Sequence, residues 1–483
     1  MSISMWLRTP RVRRGLAAGA LILATGGCIL FRARSDAHTI APTGPTESIT
    51  GALLATAVNG GSFAGGGAHG ALAVSHTKVL AGRDRQVFAV LTMSADAVDR
   101  AAAHAPLAMA VVLDTSGSME GDKMQQAKDS VVRMVRDMRD NDEIAVVRYS
   151  DDSEVVQSLA RVGEVRESLI AKVRALRAGG GTAIPRGLKS GMKTLADAER
   201  GRVRRVVLVS DGLDSTRAEA ERLASDSFEH GVVVSSLGIG LDFDEGYMSS
   251  VSRFGHGNFA FVEDGTAIAK FLKRELDETA ATTIENATAH LALPKGVRFV
   301  RALGADATAH GDDVELKVGS LFAGDERRVV VELSVAMEAG DGRALSGTVA
   351  WKRLGAGAAE ASLPALQLVA STDESAVTAG IDGAVLANAT SVLASARQLE
   401  AAAAYTQGDT ARAKSLMQQN QRDLSAAAAV APKPVATALE QQKQDYAGNA
   451  ATMATSAPTS EAWKRAAKGG AQKDNDNMNR KSY

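Results

Sequence analysis

Residues 111–119 read Val-Val-Leu-Asp-Thr-Ser-Gly-Ser-Met, placing a carboxylate and two hydroxyls at alternate positions, Asp114, Ser116 and Ser118, where an apolar run stops. Oxygen-only donors of this kind suit a hard divalent cation such as Mg²⁺. Gly117 lets the loop turn tightly. Asp-Ser-Gly turns also follow strands where no metal binds, so this stretch does not define a site by itself. Two later segments strengthen it. Residues 179–185, Gly-Gly-Gly-Thr-Ala-Ile-Pro, put Thr182 on a flexible loop ahead of a helix whose first turn holds Pro185. Residues 206–212, Val-Val-Leu-Val-Ser-Asp-Gly, end a second apolar run in another carboxylate, Asp211.

This three-part pattern resembles the metal-ion-dependent adhesion site of von Willebrand factor A (VWA) domains, in which Asp-x-Ser-x-Ser, a loop Thr and a later Asp converge on one cation. All five positions match here: Asp114, Ser116, Ser118, Thr182 and Asp211. The resemblance covers residues 107–282. It implies Mg²⁺ or Mn²⁺ ahead of Ca²⁺, with Asp114 and Asp211 close to the ion and often acting through water. Neutral hydroxyls leave such an ion with net positive charge and an open position. In the family a partner protein fills that position with an Asp or Glu carboxylate.

The elements that must position these residues are legible as periodicities. Met124, Ala127, Val131, Met134, Val135 and Met138 recur at helical spacing, so these methionines are core rather than a cofactor site. Strand-like runs at 144–149, 204–210 and 232–239 alternate with helical patterns at 163–178, 185–198 and 216–230. Such alternation predicts an α/β domain with a doubly wound, mainly parallel, Rossmann-like sheet. Ligands of such sheets bind beyond the carboxyl ends of the strands, where Asp114 and Asp211 fall. Residues 238–261 resemble the last helix and edge strand of bacterial members of the family.

At 483 residues the chain is too long for one ordinary domain. Its 55 Lys and Arg balance 56 Asp and Glu, which gives no global case for nucleic-acid binding. Residues 1–34 read as an export signal or membrane anchor, with Arg8, Arg11, Arg13 and Arg14 ahead of an uncharged run from Gly15 to Phe31. Ala24 to Cys28 resembles a bacterial lipoprotein box, with Thr25 where Leu is usual. The alternative is an uncleaved helix, since the run is near the lower limit for spanning a bilayer. Either places the body outside the cytoplasm, membrane-anchored at the bacterial cell envelope. Cys28 is the only cysteine, so no disulfide forms within the chain.

Residues 35–71, rich in Gly, Ser, Thr, Ala and Pro, read as a flexible tether, and residues 72–106 as a β segment. Period-two runs resume over 283–370 and predict an antiparallel β-sandwich, with strands on both sides of the α/β domain forming one discontinuous unit. Residues 373–447 read as a C-terminal segment of about three helices, a hairpin or bundle, and residues 448–483 as a disordered polar tail.

No phosphate loop, His-Glu-x-x-His motif or nucleophile elbow is present, and His256, in Gly-His-Gly-Asn, reads as a surface-turn residue. The sequence therefore predicts a non-enzymatic, metal-dependent protein-binding module. The alternatives are an accessory subunit of an ATP-driven, chelatase-like complex and a structural envelope protein with an empty site. Glu120, Asp122 and Asp214 are candidates for tuning partner choice.

Overall fold

The computed structural model describes residues 57, 59–98, 105–211, 214–456 and 460–479. The segment 1–34 and its Cys28 lie outside the described residues. Four strands precede the α/β domain: β1 (Gly60–Gly65), β2 (Ala68–Val74), β3 (Lys78–Leu80) and β4 (Arg85–Ala95). Two of these fall in or begin within the stretch read as a tether, 35–71, which is thereby corrected from Gly60 onward. The small residues there serve close packing: a Cβ at Gly70 would lie 2.5 Å from the Phe63 ring and 2.1 Å from the Thr92 carbonyl oxygen.

The next six strands are β5 (Leu107–Asp114), β6 (Glu143–Tyr149), β7 (Ser153–Arg161), β8 (Val203–Ser210), β9 (Val232–Ile239) and β10 (His256–Val262). They form one sheet in the order β10-β9-β8-β5-β6-β7. All neighbours are parallel except the β6–β7 pair. Strand β5 is buried along its whole length, as expected of a strand covered on both faces. Helices α1 (Asp122–Asp137), α2 (Val162–Ala175) and α6 (Gly265–Ala280) cover one face; α3 (Ile184–Leu195), α4 (Arg217–Glu229) and α5 (Glu245–Phe254) cover the other. Met124, Met134 and Met138 are core, packed against Leu107 and Leu113.

After α6 come β11 (Thr282–Ala292), β12 (Val297–Leu303), β13 (Asp306–His310), β14 (Asp313–Phe322), β15 (Glu326–Val335), β16 (Gly342–Arg353) and β17 (Gly357–Ser371). One sheet runs β1-β2-β4-β15-β12 and the other β13-β14-β11-β16-β17-β3. Strands from both sides of the α/β domain thus share two sheets. Leu72, Leu91, Val331 and Leu333 of the first meet Leu291, Leu316, Val349 and Leu368 of the second in one core.

Among the described residues the C-terminal segment holds five helices: α7 (Glu374–Ala379), α8 (Gly383–Thr406), α9 (Thr410–Val430), α10 (Lys433–Thr455) and α11 (Glu461–Asn479). Over 373–447 the three long helices α8, α9 and α10 agree with the expected count, with the six-residue α7 added before them, whereas α10 beyond 447 and α11 correct the disordered tail 448–483 for its described part. Trp463, Ala467 and Ala471 are buried at four-residue spacing along α11. The polar residues that hid this pattern, Lys468, Asp474 and Asn475, are also buried, and each is hydrogen-bonded.

Candidate metal centre

Strand β5 leaves β8 on one side and β6 on the other, so the chain winds in opposite directions from it, and the cleft between β5 and β8 is the switch point of the sheet. Asp114 is the last residue of β5, and Asp211 follows the last residue of β8. The loop between β5 and α1 turns through a short 3₁₀ segment, Gly117–Met119. The Thr182 loop is tied to it by two backbone bonds, from the amide of Gly117 to the carbonyl of Gly180 (2.9 Å) and from Gly179 to Thr115 (2.8 Å). Gly180 has φ +86°, and a Cβ there would lie 2.6 Å from a carboxylate oxygen of Asp151, so glycine is required.

Four of the five residues expected at the site are joined by hydrogen bonds. Asp114 is fully buried; its Oδ1 accepts from the Ser116 amide (2.8 Å), and its Oδ2 accepts from Ser210 Oγ (2.6 Å) and more distantly from the Tyr149 hydroxyl (3.4 Å). Ser116 Oγ lies 3.0 Å from Ser118 Oγ, which donates to Asp211 Oδ1 at 2.8 Å. Thr182, half-buried on the adjoining loop, makes no side-chain hydrogen bond among the described residues. Ser116 and Asp211 are buried while Ser118 is exposed, so the cluster opens to solvent at Ser118.

Burial pushes the Asp114 carboxyl above its ordinary 3.8, and the nearby charge of Asp211 adds to this, while the bonds from Ser210 and Ser116 oppose it. Burial likewise raises the Tyr149 hydroxyl well above 10.0, which keeps it a neutral donor toward Asp114. Asp211 Oδ2 accepts from Lys123 Nζ at 2.5 Å, and the same ammonium lies 3.4 Å from the Ser118 carbonyl.

Ser210, Tyr149 and Lys123 are the site residues that the motif does not include. Ser210 directly precedes Asp211, and Tyr149 ends the strand beside β5, so sheet register was the only signal for Tyr149. Asp214, a candidate for tuning partner choice, instead accepts from the Ile184 amide (2.8 Å) and from the Thr216 amide and hydroxyl (2.8 and 2.6 Å). It fastens the start of α3, and with it the Thr182 loop. Glu120 and Asp122 are exposed at the rim. His256 is not a surface-turn residue: its ring stacks on Phe228 at 3.7 Å, and Nε2 pairs with Asp306 at 3.0 Å.

The donor set fits a small divalent ion. Cis oxygens of an octahedron with bonds of about 2.1 Å lie about 3.0 Å apart, so the Ser116–Ser118 and Ser118–Asp211 oxygen pairs, hydrogen-bonded at 3.0 and 2.8 Å, would need little movement to share one ion. Asp114 has both oxygens engaged by protein donors, so it orients Ser116 and would act on an ion through water.

Residues 109–274 match the family model of the von Willebrand factor type A domain, and this part of the chain is a VWA domain. The chain is 25% identical over 263 residues to the uncharacterised protein sll0103 of Synechocystis, covering 52% of this chain and 61% of that protein. It is 26% identical over 254 residues to the uncharacterised protein YfbK of Escherichia coli, covering 50% and 44%. The chain thus matches only about half the length of these curated relatives. A solved structure, the von Willebrand factor type A protein from Catenulispora acidiphila, superposes with a TM-score of 0.62 at 20% identity over 78% of this chain and 88% of that one. That likeness shows a shared fold extending well beyond the VWA domain.

Proposed function

We propose that this chain is a non-enzymatic, metal-dependent protein-binding module held at the bacterial cell envelope, taking a partner's Asp or Glu carboxylate at the cleft between β5 and β8. The observation that carries this reading is the hydrogen-bonded run of oxygens Ser116 Oγ, Ser118 Oγ and Asp211 Oδ1, gathered at the switch point of the sheet and open to solvent at Ser118. Ser116, Ser118 and Thr182 would hold Mg²⁺ or Mn²⁺, with Asp114 and Asp211 beside it. A cation there would supply a Lewis-acidic position that an incoming carboxylate can fill.

The protein's own groups set the stage for that capture. Asp114 is fixed by Ser210 and the Ser116 amide, so Ser116 is held in place before any ion arrives. Lys123 balances Asp211 and keeps a buried carboxylate from standing alone. Arg8 to Arg14 and the apolar run to Phe31 support a tether, by lipid at Cys28 or by an uncleaved helix.

One experiment reads both halves. Cells expressing the full chain are fractionated, and the detergent-extracted protein is used to capture partner protein with Mg²⁺ or with EDTA. The chain is expected in the membrane fraction, retaining partner with Mg²⁺ and releasing it with EDTA. Recovery in the cytosol contradicts the tether; retention unchanged by EDTA contradicts the metal dependence.

A further inference from the structure

A cavity of about 860 Å³ lies where α5 of the VWA domain, the β12–β13 corner of the sandwich and helices α8 and α11 meet. It is separate from the metal centre: none of Asp114, Ser116, Ser118, Thr182 and Asp211 lines it. Its size is that of a small-molecule site, which typically spans about 300–1,000 Å³. One wall is apolar, built from Ala396, Leu399 and Ala403 of α8 with Trp463 and Met478 of α11.

Most charged side chains around it are engaged within the protein. Lys464 pairs with Asp242 (2.6 Å), Lys468 with Glu245 (2.8 Å), Arg217 with Glu221 (2.7 Å) and Arg327 with Asp325 (3.0 Å). Among the acids, Asp306 is taken by His256, Glu400 by Arg412, and Asp244 by the amide of Tyr247 at the start of α5. The Arg253 side chain, on α5, makes no hydrogen bond or ion pair among the described residues; its guanidinium carbon rests 4.5 Å from the Phe254 ring centroid. It is exposed to solvent, and its pKa is lowered by the protein packed around it, with the like charge of Arg217 adding to this. Glu221 and Asp306 act on it only at longer range, being engaged elsewhere. An exposed planar guanidinium without a partner, at the edge of an apolar-walled cavity, favours a carboxylate, which it can hold through two parallel hydrogen bonds.

We propose that this cavity binds an amphipathic carboxylate, its head on Arg253 and its aliphatic body along Leu399, Trp463 and Met478. The head and the body are both needed: the ion pair alone is screened in open water, and the apolar wall alone gives no preference for charge.

Decanoate is the probe, titrated calorimetrically into the full chain in detergent below its critical concentration, with acetate and decanol as head-only and body-only controls. Saturable one-to-one decanoate binding is expected, with acetate and decanol each at least about tenfold weaker. Arg253→Gln should weaken decanoate at least about tenfold and leave decanol unchanged, whereas Arg253→Lys should recover part of the loss. Ala403→Trp, which fills the cavity from α8, should abolish binding of both long-chain probes. Absence of saturable decanoate binding, equal binding by Arg253→Gln, or decanol binding as tightly as decanoate would each overturn the proposal. Circular dichroism of each variant separates these outcomes from misfolding.

Discussion

Lys123 is the residue on which the candidate metal centre turns. Its ammonium sits on a buried carboxylate, Asp211, at 2.5 Å and is itself about one-third exposed. A divalent ion arriving beside Asp211 would share that carboxylate with a cation the chain already carries. Replacing Lys123 with Met removes the competitor and keeps the stem's packing. The metal-free variant should lose about 1–3 kcal/mol, the cost of a buried acceptor left without its donor, and should bind Mn²⁺ several-fold more tightly. Thermal denaturation in EDTA and Mn²⁺ titration read the two effects; unchanged stability with weakened Mn²⁺ binding would show Lys123 supporting the ion instead. At this scale the sequence shows Asp114, Ser116 and Ser118 because their spacing is local. It cannot show Lys123, which meets Asp211 across 88 positions, or Tyr149, which reaches Asp114 only through the pairing of β5 with β6.

Among the elements, α1 and β5 were legible because each carries one uninterrupted signal, a helical stripe of methionines and a continuous apolar run. Helix α11 was not. Its buried face mixes Trp463 and Ala467 with Lys468, Asp474 and Asn475, whose burial depends on partners that only the folded chain supplies. Asp474 accepts from the Tyr446 hydroxyl at 2.6 Å, and burial raises its pKa from 3.8 to about 7. The folded chain therefore keeps this proton at pH values where the unfolded chain has released it. Stability should fall as pH rises from about 4 to about 7 and stay lower above that. Asp474→Asn keeps an acceptor for Tyr446 but cannot ionise. It should exceed the natural protein in stability at about pH 8 by at most about 4 kcal/mol, with the gap closing toward about pH 4. Denaturant unfolding at both pH values measures this, and a gap independent of pH would place the buried charge elsewhere.

For the whole molecule, the position of the VWA domain within the sandwich explains how a partner could reach the site. The domain enters and leaves at one end: Ala105 donates its amide to the Ala280 carbonyl at 2.9 Å, clasping the start of β5 to the end of α6. Asp114 stands at the other end of the eight-residue β5, about 25 Å away at strand rise. The candidate site is thus carried away from the sandwich that holds the domain. Helix α11 braces the arrangement, bonding Phe243 and Glu245 of the VWA domain through Lys468 and Arg328 of the sandwich through Asn477. Short-range patterns revealed that strands flank the inserted domain, but the union of β4 with β15 into one sheet spans more than two hundred residues and has no local signature. The central proposal is that the cleft between β5 and β8 holds a divalent ion. The direct test is calorimetric titration of Mn²⁺ into the metal-stripped chain and its Asp211→Ala variant, with circular dichroism confirming the fold of both. One-to-one binding by the natural protein and its loss in the variant are expected; equal binding by the two would contradict the account.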